Sequence, residues 1–267
     1  MTPFWSRILV ALAGLPLVFG VVWLGGWWLF ALLVAAALVA LHELYSVTRP
    51  LRPLVAAGYA GAVLALLGAR AGGLEWMLAG FLATFVVAFV LNSVAETRAP
   101  STVAIAVTVL GAAWIGFGLG HLLLLRDIPE HARLACFTVL LAVFADSTFS
   151  YFGGRLLGRH KLAPVLSPGK TWEGFIAGFV AAVVVTFLAL YADKKDFLNV
   201  WQAIVLGIVL ALAEVIGDLF ESAVKRDMDV KDTGRLLAGH GGMLDRIDSL
   251  LFALPAAYYL VAAFGHA

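Results

Sequence analysis

Apolar segments long enough to cross a bilayer follow one another from end to end of this 267-residue chain, separated only by short polar breaks. About 20 such residues, wound as an α-helix, span the roughly 30 Å hydrocarbon core. In lipid each segment must satisfy its own backbone N–H and C=O groups, and the helix does so internally. Breaks at charges, Pro and Gly place spans at 8–24, 27–45, 52–69, 74–94, 102–125, 134–152, 174–192, 200–220 and 248–265. Composition agrees: 63% of residues are apolar and 13% charged, against roughly 25% charged in a soluble domain. The expectation is an all-α polytopic integral membrane protein of about nine transmembrane helices. It divides into N-terminal helices at 1–133 and a C-terminal region at 134–267 that carries two polar loops, 153–173 and 221–247.

The remaining global features are mostly exclusions. A net charge of +1 gives no basic face for nucleic acid. The single cysteine, Cys136, rules out an intrachain disulfide and reads as a packed core residue. Arg7 and the apolar run after it end in no small-residue cleavage site, so an uncleaved first span is expected. Gly25-Gly26, flanked by Trp23, Trp27 and Trp28, reads as a tight interfacial turn. Sorting loops by the nine-span count puts thirteen of the 18 Lys and Arg on the side of the N-terminus. Five (Arg70, Arg126, Arg133, Lys194, Lys195) fall on the other. By the positive-inside rule the N-terminus is then cytoplasmic, the C-terminus outside, and both polar loops cytoplasmic.

Residues 222–248 hold ten of the 35 charged side chains. Most such runs are solvated loops. This one is interleaved with Gly234, Gly239, Gly241 and Gly242, which allow close backbone approach to a ligand, and it is flanked by carboxylates at membrane depth. Glu214, Asp218 and Ser222 are spaced i, i+4, i+8 on one helix face, with Lys225 nearby. Asp218 is expected in the last helical turn, where the macrodipole favours a cation. The plainer alternative is a salt bridge from Asp218 to Lys225 or Arg226. Hard oxygen ligands without a Cys or His cluster suit Mg²⁺ rather than zinc. Of the acids opening the ninth span, Asp248 reads as the helix N-cap, leaving Asp245 as a second metal ligand. Lys225, Arg226 and Lys231 supply charge suited to polyphosphate.

The other loop contains PVLSPGKT (164–171), which resembles a phosphate-binding Gly-rich loop but has Pro164 at the required first glycine and no surrounding βαβ unit. What remains is a basic membrane-edge segment with Arg155, Arg159, Lys161 and Lys170, and with Ser167 and Thr171 as hydroxyl donors. Asp146, an acid within the sixth span, is a functional candidate by position, and Glu214 stands between functional and structural readings. His42 and Glu43 read as interfacial.

The segment from Ser222 to Asp248 closely resembles the signature of phosphatidate cytidylyltransferases. The matching positions are Ser222, Lys225-Arg226, Lys231-Asp232, Gly234, His240-Gly241-Gly242, Asp245-Arg246 and Asp248. KLAPVLSPGKTWEG (161–174) resembles the family's second recurrent stretch. Two positions depart: Ala238 stands where the family commonly has Pro, and aligning from Tyr151 backwards puts Ser147, not Asp146, at the family's Asp.

The resemblance implies transfer of a cytidylyl group from CTP to phosphatidate, yielding CDP-diacylglycerol and pyrophosphate, with Mg²⁺ and optionally a monovalent cation such as K⁺. Asp218, Lys225, Arg226 and Asp245 would carry catalysis, Asp218 and Asp245 also holding the metal. Ser167, Lys170, Thr171, Ser222, Lys231, Asp232, His240, Gly241, Gly242 and Arg246 would bind substrate. In a bacterium the location would be the inner membrane, with the site facing the cytoplasm and a homodimer among the allowed assemblies. Two other classes stay open at this point. A CTP-dependent polyprenol or lipid-alcohol kinase would share the nucleotide loop. A transporter of an anionic solute would place its charges near the midplane of several spans.

Overall fold

The computed structural model describes residues 3–94, 101–192, 197–234 and 241–265, with side chains from residue 14 onward except Ser101 and Tyr191. Arg98, Lys194, Lys195, Arg235, Ala238, Gly239, His240 and His266 lie outside the described residues. Helices run α1 (Pro3–Leu24), α2 (Gly26–Val47), α3 (Val55–Val94), α4 (Ser101–Gly111), α5 (Gly118–Arg126), α6 (Ala132–Leu157), α7 (Trp172–Ala192), α8 (Val200–Asp227) and α9 (Leu244–Ala263). A π-helical turn, Ala112–Phe117, joins α4 to α5 without interrupting the span. Among the described residues, seven helices are long and apolar enough to cross a membrane. The chain is thus a helical, multi-pass membrane protein.

α3 is a hairpin rather than one rod. Gly72 and Gly73 leave helical geometry, Gly73 at φ +73°. A Cβ on Gly68 would lie 2.2 Å from the Trp76 carbonyl oxygen, and one on Gly80 would lie 2.3 Å from that of Leu64. The two expected spans 52–69 and 74–94 are its arms. At Gly25-Gly26 the chain turns with φ of +66° and +55°, as the glycine pair predicts. Trp27 then lies under the Arg70 guanidinium, 5.3 Å from ring centroid to Cζ.

The chain forms two compact units. One contains Met1–Leu124 with Asp227–Ile247, the other Leu125–Arg226 with Asp248–Ala267. The charged loop therefore belongs with the first five helices, and the basic loop with α6 to α8.

In the first unit Tyr45 fixes α2. Its ring fills the space that a Cβ on Gly58 or Gly111 would occupy, and its hydroxyl donates to the Thr108 carbonyl oxygen at 2.8 Å. In the second unit α6 and α7 pack backbone to backbone: a Cβ on Gly174 would lie 2.6 Å from the Ser150 carbonyl oxygen. Cys136 is fully buried on α6, as its apolar surroundings predict.

Two helix ends need correction, and the basic loop carries a short hairpin: Lys161–Ala163 (β1) pairs antiparallel with Ser167–Thr171 (β2). Pro164, Pro168 and Gly169 forbid helix there, and an isolated two-stranded edge tolerates Pro168. The eighth helix does not end near 220 but runs to Asp227. Hydropathy falls at the first charges, yet Glu, Ala, Lys and Arg keep helix propensity high, and i,i+4 contacts continue. Asp218 is therefore well inside α8, and the dipole argument for a cation there lapses. Finally α9 begins at Leu244, so Asp248 lies in its second turn and is not its N-cap.

Candidate functional site

The polar residues of the second unit converge where β2 meets α8. Lys170, on β2, places Nζ 2.8 Å from Asp218 Oδ2. Asp218 thus pairs with Lys170 of the basic loop, a partner that the plainer reading, a salt bridge to Lys225 or Arg226, did not name. Ser222 donates to Asp218 Oδ1 at 3.3 Å, as the i,i+4 spacing requires. Lys225 instead pairs with Glu221, Nζ to Oε2 2.5 Å. Arg226 reaches the Leu166 carbonyl oxygen with Nε at 3.4 Å, which anchors the β1–β2 turn to α8.

Glu221 and Asp248 were not singled out as site residues by the sequence, and both are buried, at 1% and 8% exposure. Glu221 and the charges of Asp218 and Lys225 all act on Asp248. α9 comes this close to α8 because residue 217 has no side chain: a Cβ there would lie 2.8 Å from the Asp248 carbonyl oxygen. Three carboxyl groups, Asp218, Glu221 and Asp248, thus face two lysines, with Asp218 still a third exposed. The i,i+4 rule points to Glu221–Lys225 and could have found it; burial of Asp248 has no local signal.

Two further acids lie deeper. Ser147 donates to Glu214 Oε1 at 2.9 Å, and Ser150 to Asp146 Oδ1 at 3.1 Å. Asp146 Oδ2 is buried without a hydrogen-bond partner among the described residues. The question of which residue fills the family's acidic position thus has two geometric answers: Asp146 faces Gly178 of α7, and Ser147 faces Glu214 of α8.

At the neck of the basic loop, Thr171 caps α7, its Oγ1 accepting the Gly174 N–H at 3.1 Å. Glu173 accepts the backbone N–H groups of Arg159 and His160 and contacts His160 Nδ1 at 2.6 Å. Ser167 opens β2, half-buried.

In the first unit the charged loop is held by carboxylates. Asp245, in the first turn of α9, accepts the Gly242 N–H at 2.7 Å and the Thr233 N–H at 3.3 Å, both at Oδ2. Gly241 takes φ +78° beside it. Lys231, Asp232 and Arg246 are exposed.

The N-terminus of α9 is capped from α2. Glu43 accepts the Met243 N–H at Oε1, 2.9 Å, and the Leu244 N–H at Oε2, 2.8 Å. Glu43 is thereby buried within the protein, at 5% exposure. Charge-assisted bonds of this kind at a helix start contribute up to about 2 kcal/mol when partly buried. Nothing local in the sequence signals a contact spanning 200 residues.

The donor set can be tested against a divalent cation. Among the described residues, no three His, Cys, Asp or Glu side chains converge as an all-protein metal cage. Mg²⁺ does not need one, because it keeps waters and substrate phosphates and takes one or two carboxylates. Asp218, partly exposed and flanked by Asp248, fits that demand.

The sequence pattern of the family described as "Cytidylyltransferase family" matches residues 5–264. A phosphatidate cytidylyltransferase of Staphylococcus haemolyticus is 34% identical over 253 residues, covering 93% of this chain and 95% of that protein. One from Staphylococcus epidermidis is 34% identical over 257 residues, with the same coverage. One from Haemophilus influenzae is 41% identical over 134 residues, 49% of this chain and 46% of its own.

Proposed function

The chain belongs to the cytidylyltransferase family, and from that premise we propose that it joins CTP and phosphatidate into CDP-diacylglycerol, releasing pyrophosphate. It is a membrane-embedded nucleotidyltransferase of phospholipid biosynthesis. The observation that best carries this reading is the Lys170–Asp218 pair, which joins the two motif-bearing segments of the second unit at one place.

The chemistry needs little proton transfer. A phosphomonoester has a second pKa of about 6, so the lipid phosphate is largely dianionic at neutral pH and is itself the nucleophile. Its oxygen attacks the α-phosphorus of CTP, and the bond to the β-phosphate oxygen breaks. Lys170, Lys225 and Arg226 neutralise charge on the reacting phosphates, and Lys231 and Arg246 help hold the triphosphate. Ser167, Thr171, Ser222, Asp232, Gly241, Gly242 and, outside the described residues, His240 complete the proposed substrate contacts. A divalent cation, Mg²⁺, bound through CTP and the proposed carboxylates Asp218 and Asp245, would polarise the α-phosphorus. K⁺ is a proposed companion.

The finer architecture is part of the same proposal. Counting both arms of α3 together with α1 makes nine spans, with the N-terminus and both polar loops cytoplasmic and the C-terminus outside. CTP then reaches the lipid headgroup from the cytosolic face of a bacterial inner membrane. A homodimer is the proposed assembly.

CTP labelled at the α- or the γ-phosphorus tests the reaction, using purified protein in mixed micelles with phosphatidate. The α-label enters lipid while pyrophosphate appears. Entry of γ-label would mean a lipid kinase, and no labelled lipid at all would end the enzymatic reading.

A further inference from the structure

Three consecutive backbone N–H groups in the first unit point at carboxylates: Gly242 at Asp245, Met243 and Leu244 at Glu43. A helix N-terminus with open N–H groups is ordinarily a place for a phosphate. Here the seat at the start of α9 is already taken by carboxylates, one of them from α2.

We propose that Glu43 is a positioning residue for cytidylyl transfer: it fixes, from α2, the stretch of the charged loop that carries Gly241, Gly242, Asp245 and Arg246. The inference rests on the cytidylyltransferase reading above. Glu43 is itself held in place, because Tyr45, two residues on, is wedged between Gly58 and Gly111 and bonded to the Thr108 carbonyl oxygen. The loop is fitted around the carboxylate: a Cβ on Gly234 would lie 2.4 Å from Glu43 Oε1, and one on Gly242 would lie 2.5 Å from Oε2. Both glycines are therefore needed for close approach, whatever their φ. Glutamine at 43 keeps the shape but offers one acceptor and turns an NH₂ towards the second N–H. Aspartate keeps the charge and falls one methylene short.

The test compares wild type, Glu43→Gln, Glu43→Asp and Gly234→Ala, purified in mixed micelles. Backbone hydrogen exchange at Met243 and Leu244 is measured beside kcat, KM for both substrates and detergent Tm. Expected for Glu43→Gln are faster exchange at those two amides and a kcat lowered about tenfold or more, the equivalent of about 1.4 kcal/mol in the barrier. KM for phosphatidate should stay within about threefold, since ground-state lipid binding is not what Glu43 controls. Tm should stay within about 4 °C. Glu43→Asp should recover part of both kcat and protection. Gly234→Ala, which presses a methyl against the same carboxylate, should lower kcat in the same direction. Faster exchange with wild-type kcat would overturn the proposal, as would a loss of activity that merely follows the fraction of unfolded protein. A wild type that makes no CDP-lipid would instead bring down the reaction itself, and that control is read before any variant.

Discussion

Lys170 and Asp218 meet with Nζ 2.8 Å from Oδ2, one on a β-strand of the basic loop and the other inside the long eighth helix. Their side chains are 21% and 32% exposed. An ion pair so open to solvent contributes about 1 kcal/mol or less to stability. Its significance is placement: it brings a cation and a hard oxygen donor to one spot beside Ser222.

Lys170→Met should therefore be close to silent in a detergent melting curve, shifting Tm by about 4 °C or less, while lowering turnover by about a hundredfold. Steady-state CDP-lipid formation measures the second effect. A variant that loses stability and activity in proportion would show that the pair is only structural.

Asp218→Asn and Asp245→Asn should each lower turnover by several orders of magnitude. Asp229→Asn, in the same charged loop, should be nearly neutral; Asp229 sits at φ +54°, a conformation asparagine accepts. Activity assayed against Mg²⁺ concentration after chelation decides the issue. Near wild-type turnover at low Mg²⁺ in either of the first two would remove that residue from the metal, and equal damage from all three would leave only general electrostatics.

The buried pair Lys225–Glu221 should behave differently from Lys170–Asp218. Lys225→Met removes the lysine paired with a carboxylate that is 2% exposed, at a cost of about 3–5 kcal/mol. Adding Glu221→Gln should restore most of the Tm but none of the activity, because the lysine is still missing from the phosphates. Thermal unfolding and turnover on the single and double variants check both halves.

Topology is open to chemical labelling in a background lacking Cys136. A cysteine near Lys194 should react with an impermeant reagent from outside, and one near Lys231 only from the cytoplasmic side. Reaction of both from one face would contradict the nine-span arrangement.

Membrane character and the approximate spans were legible in the sequence because lipid acts locally. Each segment must satisfy its own backbone groups, so length and apolarity suffice to find it. The same holds for the turn at Gly25-Gly26, for the break between spans 52–69 and 74–94, for the shared helix face of Ser222 and Asp218, and for the spaced positions of the charged loop. Helix ends were less legible, since α8 and α9 continue through charged residues that hydropathy counts as loop. What only the tertiary structure decided is which polar groups face one another. In helices that are apolar on nearly every side, the pattern does not say which face meets which neighbour. Lys170 against Asp218 is one such pairing; the burial of Asp248 and the capping of α9 by Glu43 go with close approaches at Gly217, Gly234 and Gly242. Those approaches join segments as much as 200 residues apart, and no local periodicity encodes them.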